Sequence, residues 1–433
     1  MNYFRVFPNN PDPPIVRSAN GCYIKTSDGK TILDVTGGGT CHAVVGWGRR
    51  EVIESVERQL RLFSHIDYKI WRDENVEKLA SLMLSRAKHK LDRVYFCGNS
   101  GAEACEAAMK MSYQVHYDLG RREKIWFISH HGAYHGATSD ALSLGDRPNL
   151  EFYRKMLSPY RALIPMHHPL KLRQSDESED EYALRSAQIL EAKILEIGPE
   201  RICAYVGETM MGGLVGDVPP ARNYWKYVRQ ICDKYAIHLI LDEVYCGTGS
   251  SGEIYCCDWD DVTPDFIFVG KTLAAGYGAL SAVITSKEIE SVIARGQGRL
   301  QHTTTFQAHS LSVAAALAVQ SIIHDDKFLS NVNHLGEFMR GTLNAELSSN
   351  PFFVNVRGRG LRFSLEYSCK DKHDFGNRLA DKILKENNIL MSIKWHRANF
   401  TPPLTISKSE AEQVLYTFIN QFKSLSSRWA RSD

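Results

Sequence analysis

The sequence lacks several patterns that mark common classes of protein. No segment of its 433 residues approaches the roughly 18 consecutive apolar residues of a transmembrane helix. Residues 1–8 contain no apolar core of a secretory signal peptide, so we expect a cytoplasmic protein. The motifs G-x-S-x-G, H-E-x-x-H and G-x-x-x-x-G-K-[ST] are also absent, which argues against common hydrolase, zinc peptidase and P-loop sites.

The sequence also lacks an excess of one charge and any cluster of residues that could bind a metal ion. The chain has 52 Lys and Arg against 50 Asp and Glu, so neither nucleic acid nor an anionic membrane is an expected partner. The ten cysteines include no C-x-x-C pair and the sixteen histidines show no metal-ligand spacing, so no metal site is predicted. Scattered cysteines are typical of buried free thiols in a reducing compartment.

The middle of the chain alternates between strand-like and helical segments, from residue 94 to about residue 283. Such alternation is typical of α/β proteins, in which helices connect neighbouring parallel strands. The pattern predicts an α/β fold with a mostly parallel central sheet flanked by helices.

The two ends of the chain follow a different pattern. Residues 21–35 predict a hairpin with a type I′ turn at Asp28-Gly29. The region beyond residue 350 predicts a smaller α+β unit, against which we expect the hairpin to pack. The expected domains are an N-terminal arm and hairpin of the small domain at 1–60, a large domain at 61–325 and a C-terminal small domain at 326–433.

Two charged residues end short apolar runs that predict buried strands. Asp242 follows residues 237–241, and Lys271 follows residues 266–269 and one glycine. Ligands of open α/β sheets bind beyond the carboxyl ends of the strands, so both side chains could face one ligand. Pyridoxal phosphate (PLP) needs this pair, a Lys for its aldehyde and an Asp for its ring nitrogen. A salt bridge for Asp242 and a surface position for Lys271 are the plain alternatives.

A phosphate site is suggested where another strand-like run meets a helix. Ser100 and Glu103 have the spacing of a capping box, and the small residues Gly101 and Ala102 would let an anion approach the helix N-terminus. An ordinary capped helix explains the same residues.

Two more strand ends carry polar or aromatic residues. Tyr134 lies among glycines in H-G-A-Y-H-G at 131–136, which suits an aromatic ring presented in a tight loop. Glu208 ends the run at 202–207, where it could hydrogen-bond the phenol side of the cofactor or orient its neighbours. A core tyrosine and a solvated glutamate are the alternatives. Four strand ends carry Ser100, Tyr134, Asp242 and Lys271 in that order along the chain, which favours a common site.

Taken together, these motifs resemble those of the class III PLP-dependent aminotransferases of fold type I. The segments that carry the resemblance are N-S-G-A-E-A at 99–104, A-Y-H-G at 133–136, D-E-V-Y-C-G-T-G-S-S-G at 242–252, G-K-T-L-A-A-G-Y-G-A-L-S-A at 270–282 and H-T-T-T-F-Q-A-H-S at 302–310. They follow one another in the family's order, and the resemblance extends over essentially the whole chain.

The resemblance implies a role for each matching residue. Lys271 would form the Schiff base with PLP and move the substrate proton, and Asp242 would keep the pyridine nitrogen protonated. Tyr134 and Val244 would stack on opposite faces of the ring. The other implied cofactor contacts are Ser100, Gly101, Ala102, His135, Gly136, Glu208 and Thr305, with Thr305 reaching the phosphate of the neighbouring subunit. The large domain would bind PLP, and a homodimer is implied, two of which could pair into a tetramer.

The chain departs from the family pattern near the expected substrate. Thr40 and Cys41 stand where amine- and β-alanine-type members have Leu-Trp, and Asn399 stands where related members have an Arg. Arg397 is the candidate replacement for that carboxylate-binding Arg. The expected substrate contacts are Thr40, Cys41, Tyr134 and Arg397. Thr209 and Ser250 also replace the family's usual Pro and Arg.

The predicted function is that of a ping-pong aminotransferase. It would move an amino group from an ω-amino acid or a primary amine to pyruvate, 2-oxoglutarate or an aldehyde. Another PLP reaction on the same fold is the alternative: aminomutase, racemase, decarboxylase or phospho-lyase. A non-catalytic binding protein would require loss of Lys271 or Asp242, and both are present.

Overall fold

The computed structural model describes residues 4–212 and 214–429; residues 1–3 and 430–433, the outer ends of the predicted small domain, lie outside this range. The strands of the described residues are β1 (Val16–Asn20), β2 (Tyr23–Thr26), β3 (Thr31–Asp34), β4 (Arg93–Cys97), β5 (Trp126–His130), β6 (Arg161–Ile164), β7 (Ile202–Glu208), β8 (His238–Asp242), β9 (Phe266–Val269), β10 (Ser281–Thr285), β11 (Phe353–Arg359), β12 (Arg362–Tyr367), β13 (Ile389–Leu390), β14 (Ser392–Lys394) and β15 (Arg397–Phe400).

Helices cover the sheets and connect most of the strands. They are α1 (Arg50–Leu62), α2 (Glu74–Ser85), α3 (Gly101–Asp118), α4 (Ser139–Ser143), α5 (Pro169–Leu172), α6 (Glu179–Ile197), α7 (Tyr224–Lys234), α8 (Lys287–Arg295), α9 (Ser310–Ile323), α10 (Asp326–Leu347), α11 (Lys372–Asn387) and α12 (Lys408–Trp429). Among the helices of the described residues, none combines the length and apolar character that a bilayer crossing requires.

A seven-stranded sheet forms the centre of the described chain, in the order β4-β10-β9-β8-β7-β5-β6. Every pair in it is parallel except the two that β10 makes with β4 and β9. Strands β7 and β9 are buried along their whole length, as apolar runs between two helical layers should be. The predicted α/β fold with a mostly parallel sheet is confirmed.

The direction of β10 follows from the short connection before it. Only the eleven residues 270–280 separate the end of β9 from the start of β10. A parallel neighbour would need a crossover of a dozen or more residues, usually with a helix. The chain turns back instead, and this tight return contains Lys271.

Two four-stranded sheets, β1-β2-β3-β13 and β11-β12-β15-β14, are formed by the two ends of the described chain. Strand β13 pairs in parallel with β3, which joins the N-terminal hairpin to the C-terminal region as expected. The predicted hairpin is confirmed, but the prediction of a type I′ turn is wrong. Of Asp28 and Gly29 only the glycine has a positive φ, and the Thr26 N–H bonds to the Lys30 carbonyl across a three-residue loop.

Several elements of the structure were not predicted, and β6 and α10 show why. Strand β6 has only four residues, too few for a clear alternation of polar and apolar side chains. Helix α10 contains three asparagines and two glycines, residues of low helix propensity that weaken its sequence signal. Tertiary packing outweighs these local preferences, since seven of its residues are buried, including Leu335 and Met339.

The register of the central sheet aligns the polar strand ends. Glu208 at the end of β7 is paired with Asp242 at the end of β8. Asp242 is in turn paired with Phe268, three positions before Lys271. These three side chains therefore lie at one edge of the sheet, because parallel strands end on the same side.

Candidate active site

A cavity of about 360 Å³ opens at the carboxyl ends of the parallel strands, and we call it the strand-end cavity. Its volume lies within the usual range for small-molecule sites. The residues that line it are Thr40, His42, Asn99, Ser100, Gly101, Ala102, Tyr134, His135, Gly136, Ala137, Glu208, Met210, Asp242, Val244, Tyr245, Lys271, Gly276, Gly278, Ala279 and Leu280. The structure thus brings Lys271 and Asp242 to one cavity, together with most of the predicted cofactor contacts.

Asp242 is held rigidly at the base of this cavity. Its carboxylate is buried, with 5% of the residue exposed. The Nδ1–H of His135 donates to Oδ2 at 2.8 Å, and the Val244 N–H donates to Oδ1 at 2.9 Å. The Ser129 hydroxyl lies 3.1 Å from His135 Nε2, which orients the ring. A fixed, buried carboxylate of this kind can form an ion pair with the protonated pyridine nitrogen of PLP.

Lys271 begins the tight return between β9 and β10. Its φ of 34° lies in the left-handed region, which costs a residue with a side chain about 1–2 kcal/mol. Neighbouring groups hold this conformation, since the Gln320 side chain donates to the Leu273 carbonyl at 2.9 Å. The Lys271 amine lies 5.5 Å from the ring centroid of Tyr245. Backbone strain maintained by its surroundings is typical of functional positions.

The N-terminus of α3 differs from the predicted capping box. Ser100 occupies the N-cap position, but its side chain makes no capping hydrogen bond. Glu103 accepts instead from the N–H groups of Gly98 and Asn99, at 3.0 and 2.9 Å. The capping-box prediction is therefore wrong, because the carboxylate binds the preceding loop. The first N–H groups of this 18-residue helix have no side-chain cap and are available to an anion.

Gly101 has no room for a side chain. A Cβ at this position would lie 2.6 and 2.7 Å from the two methyl carbons of Val244. We expect Gly101→Ala to lower the stability by about 1–3 kcal/mol through overpacking and to weaken PLP binding, since Val244 must move. Thermal unfolding of the apo and PLP-bound protein measures both effects.

Gly341 provides the matched control for that substitution. It lies within α10, and a Cβ there meets nothing within 4 Å. Gly341→Ala should raise the stability by about 0.5–1 kcal/mol, because alanine loses less backbone entropy in a helix. Equal effects of the two substitutions would contradict the packing argument.

Tyr134 and Gly136 lie on the opposite side of the helix start. Tyr134 is half-buried and lines the strand-end cavity, as does Val244. Gly136 has a φ of 150°, and a Cβ there would lie 2.5 Å from the Ala102 Cβ. The loop that carries Tyr134 therefore packs directly on the first turn of α3, which keeps an aromatic ring beside the proposed phosphate position.

Glu208 lies next to Asp242 in a buried environment. Burial raises the pKa of Glu208 well above its usual value, and the nearby Asp242 carboxylate raises it further. The folded apo protein therefore favours the neutral form of the Glu208 carboxyl more strongly than water does. A neutral carboxyl group can donate a hydrogen bond to an oxygen, such as the phenolate oxygen of PLP.

This raised pKa predicts a pH-dependent effect of Glu208→Gln. The unfolded chain releases the Glu208 proton above about pH 4.3, whereas the folded chain keeps it. Wild-type stability should then fall with rising pH by up to about 1.4 kcal/mol per unit from this group. The variant cannot ionise, so as the pH rises above about 4.3 the apo variant should lose less stability in urea unfolding than the wild type. Glu57→Gln, at an exposed position of α1, should show no such difference.

Three of the predicted site residues lie outside the strand-end cavity. Cys41 contributes a backbone carbonyl, which accepts from Arg362 Nη2 at 3.0 Å. Arg397 is 2% exposed and donates to the Leu214 carbonyl at 2.9 Å, so it is not at the surface. Thr305 is exposed and lines a neighbouring pocket, which shares Asn99 and Ala279 with the strand-end cavity.

Several cavity residues were not predicted as site residues, among them Tyr245 and His42. Tyr245 donates from its hydroxyl to Asp217 Oδ1 at 2.7 Å. The His42 ring packs on Gly276, where a Cβ would lie 2.5 Å from its Cδ2, and its Nδ1 lies 3.0 Å from the Thr40 hydroxyl. Their sequence signals were the glycine run before His42 and the D-E-V-Y motif that contains Tyr245.

The donor set of the cavity fits PLP. An amine from Lys271, a buried carboxylate from Asp242 and an uncapped helix N-terminus at Gly101 match its aldehyde, ring nitrogen and phosphate. No group of His, Cys, Asp and Glu able to hold a metal ion occurs among the described residues.

Comparisons with known proteins agree with this chemistry. The family model described as aminotransferase class-III matches residues 7–422. An uncharacterized aminotransferase of Schizosaccharomyces pombe is 34% identical, with coverage of 96% of this chain and 93% of that protein. A putrescine–pyruvate aminotransferase of Pseudomonas aeruginosa is 29% identical, with coverage of 93% and 88%. The crystal structure of an ω-transaminase of Pseudomonas jessenii in complex with PMP superposes with a TM-score of 0.92 at 26% identity, with coverage of 99% and 97%. The chain therefore belongs to the class III aminotransferases and is a PLP-dependent transaminase of fold type I.

Proposed function

We propose that this transaminase moves an amino group from an ω-amino acid or a primary amine to an oxo acid, pyruvate or 2-oxoglutarate, or to an aldehyde. The observation that carries the proposal is the placement of Lys271 and Asp242 in one strand-end cavity. The names of the similar putrescine–pyruvate aminotransferase and ω-transaminase support the substrate class.

Six of the cavity residues have a part in this reaction. PLP, when bound, would supply an electron sink for the substrate carbon. Lys271 removes the proton from that carbon and delivers it to the neighbouring position, and Asp242 keeps the ring nitrogen protonated. The N–H groups at Gly101 and Ala102 hold the phosphate. Tyr134 and Val244 keep the ring between them, so that it stays aligned with the Lys271 amine.

Of the two proposed donor classes, the charges of the cavity favour the primary amine, because an ω-amino acid carries a distal carboxylate that needs a positive partner. Among the described lining residues, Lys271 is the sole lysine and there is no arginine. Burial lowers the pKa of His42, and the nearby Lys271 lowers it further, so His42 adds no positive charge at neutral pH. Arg397 remains the proposed contact for a carboxylate, but it would have to leave the Leu214 carbonyl to reach one.

A half-reaction tests the proposal. A diamine such as putrescine, added without an oxo acid, should remove the visible absorbance of the bound cofactor and leave its amine form. Pyruvate added afterwards should restore the absorbance and yield alanine. A racemase, aminomutase, decarboxylase or phospho-lyase would turn over its own amino acid or amine substrate without an oxo acid and return to its starting spectrum. An absorbance that the diamine leaves unchanged would exclude transamination of that donor.

We further propose a homodimer, or a tetramer made of two such dimers, in which Thr305 of each subunit binds the phosphate in the partner's cavity. Thr305 is exposed, and the adjacent Phe306 is 60% exposed in the single chain. The Thr305 carbonyl accepts from His65 Nε2 at 2.9 Å, which holds this loop in place. An exposed aromatic ring next to an exposed phosphate ligand fits a surface that a second subunit covers.

Hybrid dimers test this contact. Thr305→Ala should weaken PLP binding about tenfold or more, the effect of one lost hydrogen bond to a charged group. A dimer of one Thr305→Ala chain and one Lys271→Ala chain should regain one intact site, because both defects fall in the same cavity. If Thr305 served its own subunit, that hybrid would have no intact site and would stay inactive.

The domain boundaries and the compartment complete the proposal. We assign residues 61–325 to the PLP-binding domain, with 1–60 and 326–433 in the small domain, because all seven strands of the central sheet lie between Arg93 and Thr285.

All ten cysteines are free thiols, which supports a reducing compartment such as the cytoplasm.

A further inference from the structure

The ring of His42 is held between two glycines at the wall of the strand-end cavity. A Cβ at Gly38 would lie 2.4 Å from its Cε1, and a Cβ at Gly276 would lie 2.5 Å from its Cδ2. Both glycines have a left-handed backbone, with φ of 80° and 83°, so neither position has room for a side chain. The two glycines therefore form a slot that fixes the plane of the His42 ring.

A buried carboxylate shapes the turn that contains Gly38. Asp34, at the end of β3, is fully buried, and its Oδ2 accepts from the Gly38 N–H at 2.7 Å. Its Oδ1 accepts from the backbone N–H of Thr36 at 2.8 Å and also from the Thr36 hydroxyl. These bonds hold the turn that leads to His42, and the Asp34 charge acts on the His42 ring.

One nitrogen of the His42 ring is paired and the other is available. Nδ1 lies 3.0 Å from the Thr40 hydroxyl, whereas Nε2 has no hydrogen-bond partner among the described residues. Nε2 lies on the side of Gly276, where a Cβ would be 3.0 Å from it. Thr40, His42 and Gly276 all line the strand-end cavity. When Nδ1–H donates to the Thr40 oxygen, the lone pair of Nε2 can accept a hydrogen bond.

The surroundings of His42 favour a positively charged partner. Burial lowers its pKa, the Asp34 carboxylate raises it and the Lys271 amine lowers it, with burial the largest effect. The ring is therefore neutral at pH 7, and the nearby carboxylate attracts a cation and repels an anion. The other carboxyl groups of the described lining, Asp242 and Glu208, are assigned to the pyridine nitrogen and the phenolate oxygen.

We propose that His42 is a specificity-determining residue, whose Nε2 accepts a hydrogen bond from the second amino group of a diamine donor while the first amino group reacts beside Lys271. This inference rests on the proposed transaminase function and narrows its donors from primary amines to diamines. An ammonium group forms a charge-assisted hydrogen bond with a neutral acceptor, and the Asp34 carboxylate stabilises the same charge. The methyl end of a monoamine makes neither interaction, and the carboxylate of an ω-amino acid would be repelled.

Four donors of four carbons each test the inference: putrescine, 4-aminobutan-1-ol, 4-aminobutyrate and butylamine, which end in an ammonium, a hydroxyl, a carboxylate and a methyl group. The rate constant for loss of the cofactor absorbance is measured with the PLP-loaded enzyme and no oxo acid. Putrescine should react about tenfold faster than butylamine or more, the effect of one hydrogen bond to a charged group. An equal or faster reaction with any of the other three donors would overturn the proposal and leave the transaminase assignment intact. No reaction with any of the four would contradict the proposed donor class itself.

Two substitutions of His42 separate the roles of its nitrogens. Asparagine has an amide near the Nδ1 position and no atom at Nε2, so His42→Asn should lose most of the preference for putrescine over butylamine. Glutamine reaches the Nε2 position with its amide, so His42→Gln should keep part of that preference. His334→Asn, at an exposed position of α10, is the control and should keep the wild-type ratio. General damage to the structure slows both donors alike, so an unchanged ratio in His42→Asn would overturn the proposal.

Discussion

Lys271→Ala should abolish the visible absorbance of the Lys-bound cofactor and reduce transamination by at least about 10²–10⁴-fold, the usual contribution of proton transfer by a positioned side chain. Within the described chain, no other lysine lines the strand-end cavity. No neighbouring amine can therefore replace it, either as the covalent attachment or as the proton carrier. Spectra of the purified protein with added PLP, and initial rates with a diamine and pyruvate, measure the two losses.

Controls separate this effect from a loss of folding. Lys271→Ala keeps the left-handed backbone and removes only the side chain, so its thermal unfolding should resemble that of the wild type. Lys287→Ala, at an exposed position at the start of α8, should retain both the absorbance and the activity. Added methylamine should restore part of the proton transfer in Lys271→Ala. An unchanged spectrum in that variant would disprove the assignment of Lys271.

Asp242→Asn should lower kcat by about 10²–10³-fold, the usual cost of removing one preorganised charge from a buried site. Asparagine has almost the same shape and can still accept from the Val244 N–H. It carries no charge, so it cannot hold a proton on the pyridine nitrogen. PLP should still bind, because the amine of Lys271 and the N-terminus of α3 are unchanged. The expected result is a holoenzyme that performs the half-reaction slowly.

Rapid mixing of the Asp242→Asn holoenzyme with the amine donor measures that rate directly. Asp258→Asn is the matched control, since Asp258 is a buried carboxylate that lies outside the strand-end cavity. Burial raises the pKa of Asp258 to about 6, so its amide should be tolerated with normal half-reaction rates. A half-reaction as fast as that of the wild type in Asp242→Asn would show that the ring nitrogen does not need this carboxylate.

The sequence predicts those site residues that lie directly at strand ends. Asp242 and Glu208 end adjacent parallel strands, and the sheet itself brings them together. His42 and Tyr245 were missed because they reach the cavity from a turn and a loop that no local pattern assigns to the sheet edge. Glu103 has the correct spacing for a capping box, yet its carboxylate binds the N–H groups of Gly98 and Asn99 instead.

The sequence by itself determined the fold class, the cofactor chemistry and the order of the strand ends that line the cavity. Apolar runs, glycines and single charged residues are local signals, and the family motifs around Lys271 preserve them. The tertiary structure decided which side chains line the strand-end cavity and which lie outside it. It buried Arg397 against the Leu214 carbonyl and brought His42 and Tyr245 to the cavity. Such contacts join segments distant in sequence or set the direction of a side chain, and neither property follows from local patterns.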